Sequence, residues 1–172
     1  MSYTVRPART GDVRAIRGLI NANLASGRLL DKPTVTLYED IQEFVVAVGA
    51  RDDQVIGCGA LHVMWEDLAE IRTIAVTADH QEHGVGGLLV GALLDRADRL
   101  GVRRVFVLTF AVGFFARHGF EPISEAAADP DVSDPEVFAE LLRSSDEGVA
   151  EFLDLDRVKP NTLGNTRMLL RL

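Results

Sequence analysis

Two features of this chain have the residue types and the spacing to do chemistry. One is an acid, Glu70, at the head of the strand-like run Glu70-Ile71-Arg72-Thr73-Ile74-Ala75-Val76. The other is Gln81-Glu82-His83-Gly84-Val85-Gly86-Gly87, with glycines at 84, 86 and 87 where a helix begins. The first N–H groups of a helix have no partner inside it, and the macrodipole adds positive potential there, so such a mouth receives anions. Glycine removes the side chains that would hold a phosphate away from those groups. The same glycines would also suit tight packing of a helix on a sheet, and their number alone does not choose. Two nucleotide loops are disfavoured. A dinucleotide fingerprint needs G-x-G-x-x-G, whereas here Gly84-Val85-Gly86-Gly87-Leu88-Leu89 lacks the third glycine in place. A Walker loop needs G-K-S/T, and no lysine is near.

In an extended strand residues 70, 72, 74 and 76 share a face. Glu70 and Arg72 can then address one site, or form an exposed charged pair. His80, His83 and His118 have no metal-ligand spacing with a carboxylate pair, so no metal site is expected. His83 reads as a loop residue whose N–H matters more than its ring. His62, inside a strand, reads as a satisfied core histidine in preference to a residue of the site.

The elements that position these residues follow from periodicity and punctuation. Tyr3 to Ala8 reads as a first strand, and Thr10 or Asp12 can cap the helix after it, with Val13, Ile16, Ile20 and Leu24 at helical spacing to Gly27. Pro33 biases Lys32 away from helix, and Thr36 with Glu39 resembles a capping box for a short helix over 36–42. Phe44 to Val48 and Val55 to Trp65 read as a hairpin, followed by a strand over Ala69 to Val76. The helix from Gly84 carries Val85, Leu88, Leu89, Ala92, Leu93, Ala97 and Leu100 on one face and ends at Gly101. Arg104 to Thr109 reads as a buried strand, Phe114 to Phe120 as one or two helical turns, and Pro135 to Arg143 as a helix. Residues 126–134 form a loop, 148–155 is ambiguous, and Thr166 to Leu172 makes a final strand. Hairpins followed by strand–helix–strand predict an α/β (α+β) domain over 1–172, with a mixed, mostly antiparallel sheet of about six to seven strands and helices on both faces.

Composition bounds the partners. The 172 residues are 47% hydrophobic and 26% charged, ordinary for a globular protein. A formal net charge of −8 argues against nucleic acid as a partner, while a local set of N–H donors can still hold a small anion. No apolar run reaches the ~18 residues of a membrane span, and the N-terminus lacks a signal-peptide core. Cys58 is the single cysteine, so no disulfide framework is expected and a cytoplasmic setting fits.

Gln81-Glu82-His83-Gly84-Val85-Gly86 resembles the Q/R-x-x-G-x-G/A signature of the GNAT acetyltransferases, which bind acetyl-CoA. Within that superfamily the chain is similar to the short amino-acid N-acetyltransferases of arginine biosynthesis, which act on glutamate. The stretches that carry this are LLDKPTVTLYEDIQEFVV, GCGALHV, AEIRTIAV, RVFVLTF, FFARHGF and GVAEFLDLDRVKPNTLGNTRMLL. The amino-acid-kinase domain of the long bacterial enzymes has no counterpart in these residues, so regulation residing there is not carried over.

The resemblance implies acetyl transfer from acetyl-CoA, without a metal, to the α-amine of glutamate and, as a further candidate, glutamine. It places Glu70 as general base and Thr109 as hydrogen-bond donor to the leaving thiolate; Thr109 can also be a plain strand residue. Many relatives use a tyrosine where this chain has Phe114-Phe115. Backbone groups of Ile74, Ala75 and Val76 would meet the pantetheine arm, Gln81 to Gly87 the pyrophosphate, and Phe115 would stand beside the arm or in the core. For the acceptor, Leu30 and Lys32 match the LL-x-R/K position. Asn165 and Thr166 stand where some relatives have Arg-Asn-Ser, and here Gly164 replaces the arginine. Arg72 or Arg167 can compensate, and Arg72 is preferred because alternation puts Arg167 on the face opposite Thr166. Dimerisation is common in the fold. A non-catalytic acyl-CoA sensor, or an acetyltransferase for another small amine or a protein N-terminus, are the competing expectations.

Overall fold

The computed structural model describes residues 2–24, 32–123, 135–153 and 165–172. Its strands are β1 (Tyr3–Pro7), β2 (Phe44–Gly49), β3 (Val55–Trp65), β4 (Leu68–Val76), β5 (Arg104–Thr109), β6 (Glu121–Pro122) and β7 (Thr166–Arg171). Its helices are α1 (Val13–Leu24), α2 (Thr34–Glu39), α3 (Val85–Arg99), α4 (Val112–Ala116), α5 (Pro135–Leu141) and α6 (Glu147–Phe152). The strands form one seven-stranded mixed sheet in the order β1-β2-β3-β4-β5-β7-β6, with β4 and β5 parallel and β1–β2, β2–β3, β5–β7 and β6–β7 antiparallel. The described residues fall into two compact units: Met1–His62 with Ile71–Leu100, and Val63–Glu70 with Gly101–Leu172.

In the first unit the sheet is covered on both sides, which is why Phe44-Val45-Val46-Ala47-Val48 is apolar at every position rather than alternating. Phe44, Val46, Val48, Cys58, Ala60 and Ala75 pack with Val13, Ile16, Leu19, Ile20 and Leu37 of α1 and α2. The other face receives α3. There Gly57 and Gly59 make room: a Cβ on Gly59 would lie 2.5 Å from Ile74 Cδ1 and 3.1 Å from Leu93 Cδ1. The entry to α1 is held by Asp12, which accepts from Arg9 N at 2.7 Å and pairs with both Arg6 amines at 2.7 and 3.1 Å. The Arg6 hydrogen bonds hold the Asp12 carboxyl below its ordinary range. The capping box expected at Thr36 and Glu39 is not used: α2 begins two residues earlier, at Thr34, behind Pro33. Pro33 fits a helix entrance because its φ is already set and the first N–H groups lack partners in any case.

In the second unit Leu68, Phe106 and Leu169 pack with Leu141, Val149, Phe152 and Leu153 of α5 and α6 and the turn after them, so the ambiguous 148–155 stretch begins as helix. Phe106 and Phe152 meet edge to face at 5.3 Å between ring centroids. The β3–β4 turn is fastened by Asp67. Its carboxylate pairs with the buried Arg104 guanidinium at 3.0 and 3.1 Å, and its carbonyl accepts from Arg103 N and Arg104 N.

Candidate active site

The glycine loop lies wholly in the first unit. Thr77 N donates to Ile56 O at 2.8 Å, and a 3-10 turn over Ala78–His80 follows, with His80 Nδ1 2.9 Å from Thr77 Oγ1. Gln81 Nε2 donates to Val76 O at 3.2 Å, which ties the loop to the end of β4. His83 Nδ1 donates to Gln81 O at 2.7 Å, so the His83 ring braces the turn, and both residues are exposed. Glu82 and Gly84 take left-handed φ values of 63° and 80°. Left-handed residues alternating with others fold a loop so that successive N–H groups converge, the arrangement of an anion-binding nest. Gly84 then serves as N-cap of α3 without any side-chain cap. A Cβ on Gly84 would meet nothing within 4 Å, so the glycine is required by its φ, and the space in front of it is open. Val85 is buried and anchors the helix, while Gly86 and Gly87 are half-buried.

Within β4, Thr73 has φ 61°, a left-handed value for a β-branched residue, costing about 1–3 kcal/mol. Such a residue breaks the alternation of a strand. The face shared by 70, 72, 74 and 76 therefore cannot be counted through position 73, and nothing in the sequence signals this. Ile74 turns its side chain toward Gly59, and Ala75 is buried in the α1–α2 core, so what Ala75 can offer a ligand is backbone. Arg72 and Val76 are half-buried.

Lys32 is half-buried beside α2. Its Nζ lies 3.7 Å from Asp40 Oδ2, and its carbonyl accepts from Arg17 NH1. An incoming carboxylate would meet a lysine that already has a counter-ion. Leu30 lies outside the described residues, as does Gly164. His62 is not a core histidine: it is half-buried, with Nδ1 2.6 Å from Glu43 Oε1.

The second unit contains Glu70, Thr109, Thr166 and Asn165. The β4–β5 ladder runs from Leu68↔Arg104 to Glu70↔Phe106 and ends there, while β5 stays paired with β7 through Thr109↔Thr166. Glu70 is 8% exposed, as is Thr109, and these are two of the three buried polar residues found among the described ones. Register partners share a face. Glu70 therefore shares that of Phe106 and Leu169, whereas Thr109 and Thr166 lie on the other. Arg167, opposite Leu108, is on the Glu70 face. Sequence alternation disfavoured Arg167 because it opposes Thr166; the register gives it the face of the acid instead.

Thr109 Oγ1 accepts from Ala111 N at 2.9 Å. A hydroxyl engaged as acceptor keeps its single proton for donation elsewhere. Asn165 and Thr166 are half-buried at the start of β7. Phe115 is buried, edge to face with Phe114 at 5.1 Å and Phe120 at 5.4 Å, so its ring belongs mainly to packing and Phe114 is the more accessible of the pair. Among the described residues no group of three or more His, Cys, Asp or Glu is placed to hold a metal. No helix among them is long and apolar enough to cross a membrane.

The model of the acetyltransferase (GNAT) family matches residues 21–120, well over half of the chain. The chain belongs to the GNAT acetyltransferases. It is 54% identical over 169 residues to a Mycobacterium tuberculosis protein named amino-acid acetyltransferase, with 96% of this chain and 92% of that one covered. A Mycobacterium tuberculosis crystal structure in complex with CoA and NLQ has a TM-score of 0.89 and 54% identity, over 98% of this chain and 99% of that one. N-acetylglutamate synthase from Neisseria gonorrhoeae, complexed with coenzyme A and N-acetyl-glutamate, has a TM-score of 0.73 at 25% identity. All of this chain but 35% of the synthase is covered, so the match spans about a third of that protein. The GNAT fold expected from the sequence is thus the observed one.

Proposed function

We propose that this chain, acting as one acetyltransferase domain, transfers the acetyl group of acetyl-CoA to the α-amine of glutamate or glutamine, the opening reaction of arginine biosynthesis. The observation that carries the reading is the match over nearly the whole of both chains to a relative named amino-acid acetyltransferase. The glycine loop fits the donor: an uncapped α3 start behind left-handed Glu82 and Gly84 presents N–H groups to open space, as a pyrophosphate requires. Bound acetyl-CoA supplies an activated thioester.

The residues of this chain would do the rest. Glu70, largely buried, takes the proton that the acceptor ammonium must lose, directly or through a water. Thr109, oriented by Ala111 N, donates a hydrogen bond to the departing sulfur. A thiolate leaves with hydrogen-bond help because a thiol has a reference pKa near 8.5. The acceptor-binding candidates are Lys32 and Arg72 in the first unit and Asn165, Thr166 and Arg167 in the second.

Direct attack is favoured over an acetyl-cysteine. Cys58 is fully buried, with Sγ 3.7 Å from Thr73 O, and burial pushes its thiol up to about 12. A lone thiol kept reduced also fits a cytoplasmic enzyme. The test is a thiol-release assay with acetyl-CoA and a panel of amino acids, amines and N-terminal peptides. Glutamate or glutamine should give the fastest release, with product mass showing α-N-acetylation; release with peptides alone would reject the reading.

A further inference from the structure

The left-handed Thr73 and the Cys58 thiol are two features that no role above joins. Thr73 stands inside β4 with φ 61°, just ahead of Ile74, Ala75 and Val76. A residue in that conformation interrupts ladder pairing, and the buried backbone groups around it still need partners. A β-branched residue does not choose a left-handed φ, so its neighbours must impose it.

Those neighbours are Gly57-Cys58-Gly59 of β3, in the same unit. Cys58 Sγ donates to Thr73 O at 3.7 Å. Burial pushes the thiol up to about 12, and a hydrogen bond from the Ala75 backbone acts against it. A thiol can serve both groups, because it is a weak donor and a weak acceptor. The flanking glycines leave room for the same segment. A Cβ on Gly59 would lie 2.5 Å from Ile74 Cδ1, and one on Gly57 would lie 3.1 Å from Ala75 O. The Gly57 Cβ would also stand 3.3 Å from Val85 Cγ1 and 3.1 Å from Leu89 Cδ1, so this short stretch of β3 fits the break in β4 and the first turns of α3 together.

We infer that Cys58 is a positioning residue for acetyl-CoA: its thiol holds the break at Thr73 so that the backbone groups after it are set for the donor. This rests on the reading of Ile74, Ala75 and Val76 as contacts of the pantetheine arm. Packing alone would ask only that residue 58 be apolar and of suitable volume. A brace asks for a group that donates and accepts. Without it fewer molecules hold the competent backbone, and the apparent Kd rises by the inverse of that fraction.

The test is calorimetric titration of acetyl-CoA into the full chain, for wild type, Cys58→Ser, Cys58→Val and Cys58→Ala, with melting temperature measured on each to show that it is folded. Cys58→Val fills the space without a polar hydrogen-bonding group and should weaken acetyl-CoA about threefold to tenfold, the scale of one or two lost neutral hydrogen bonds. Cys58→Ala should resemble it. Cys58→Ser keeps a donor and an acceptor and should stay within about twofold of wild type, although a buried hydroxyl is the less welcome group in an apolar core. A residue that only packs gives the other order, with valine harmless and serine the poorer. A Cys58→Val Kd within about twofold of wild type, or a Cys58→Ser Kd as weak as that of Cys58→Val, overturns this inference alone. A wild type that binds no acetyl-CoA overturns the donor reading and this inference together. Should Cys58→Val fail to fold, equal Kd in Cys58→Ala and Cys58→Ser is the overturning result.

Discussion

The hydroxyl of Thr109 is buried and already accepts the Ala111 N–H at 2.9 Å. Its proton is the part left to act, and a donated hydrogen bond costs no reorganisation when its donor is held in advance. Thr109→Val should therefore lower kcat about tenfold or more, and Thr109→Ser should recover most of the loss while acetyl-CoA KM stays near wild type in both. Stopped-time thiol release at saturating acetyl-CoA measures this, and a Thr109→Val enzyme as fast as wild type would remove the hydroxyl from the reaction. The sequence offered Thr109 only as the last residue of a β-rich run. The bond to Ala111, which turns it into an oriented donor, depends on backbone geometry past the end of the strand.

At the scale of elements, α3 and its loop were the most legible part of the chain. Three glycines beside an apolar helical stripe pointed to an uncapped helix mouth, and the helix begins at Val85 behind Gly84. The conformation was less legible, because Glu82 shares the left-handed region with Gly84 and no glycine marks it. A side chain at position 84 would cost about 1–2 kcal/mol for its φ without any clash in the protein. Gly84→Ala should thus lower the melting temperature and raise acetyl-CoA KM, leaving acceptor KM nearly unchanged. Calorimetry with initial-rate kinetics reads both, and an unaltered acetyl-CoA KM would detach the loop from donor binding. Strand β4 was read less well. Its run of β-formers predicted strict alternation, and left-handed Thr73 interrupts it. Such a break comes from the neighbours a strand must match and leaves no mark in its own residue types.

For the whole molecule, the strands over Val55–Trp65 and Arg104–Thr109 have the bounds read from the sequence: Asp52-Asp53-Gln54 and Glu66-Asp67 flank the first, and Gly101 precedes the second. The start of α2 was misjudged because a capping-box pattern competed with Pro33, and the rigid φ of proline won. The face of Arg167 needed the β5–β7 register, which no local pattern carries. A net charge of −8 is compatible with the proposed CoA binding, because the N–H groups at the uncapped start of α3 act locally and need no basic surface. Glu70, where the β4–β5 ladder ends, is where the proposed chemistry is concentrated. The most direct measurement is the rate of CoA release from acetyl-CoA with glutamate and with glutamine, for wild type and Glu70→Gln side by side. Release should be rapid in wild type and fall roughly 10²–10⁴-fold in Glu70→Gln, the span of a lost general base, with acetyl-CoA KM within about threefold. Equal rates in the two proteins, or no release with either amino acid, would contradict the account.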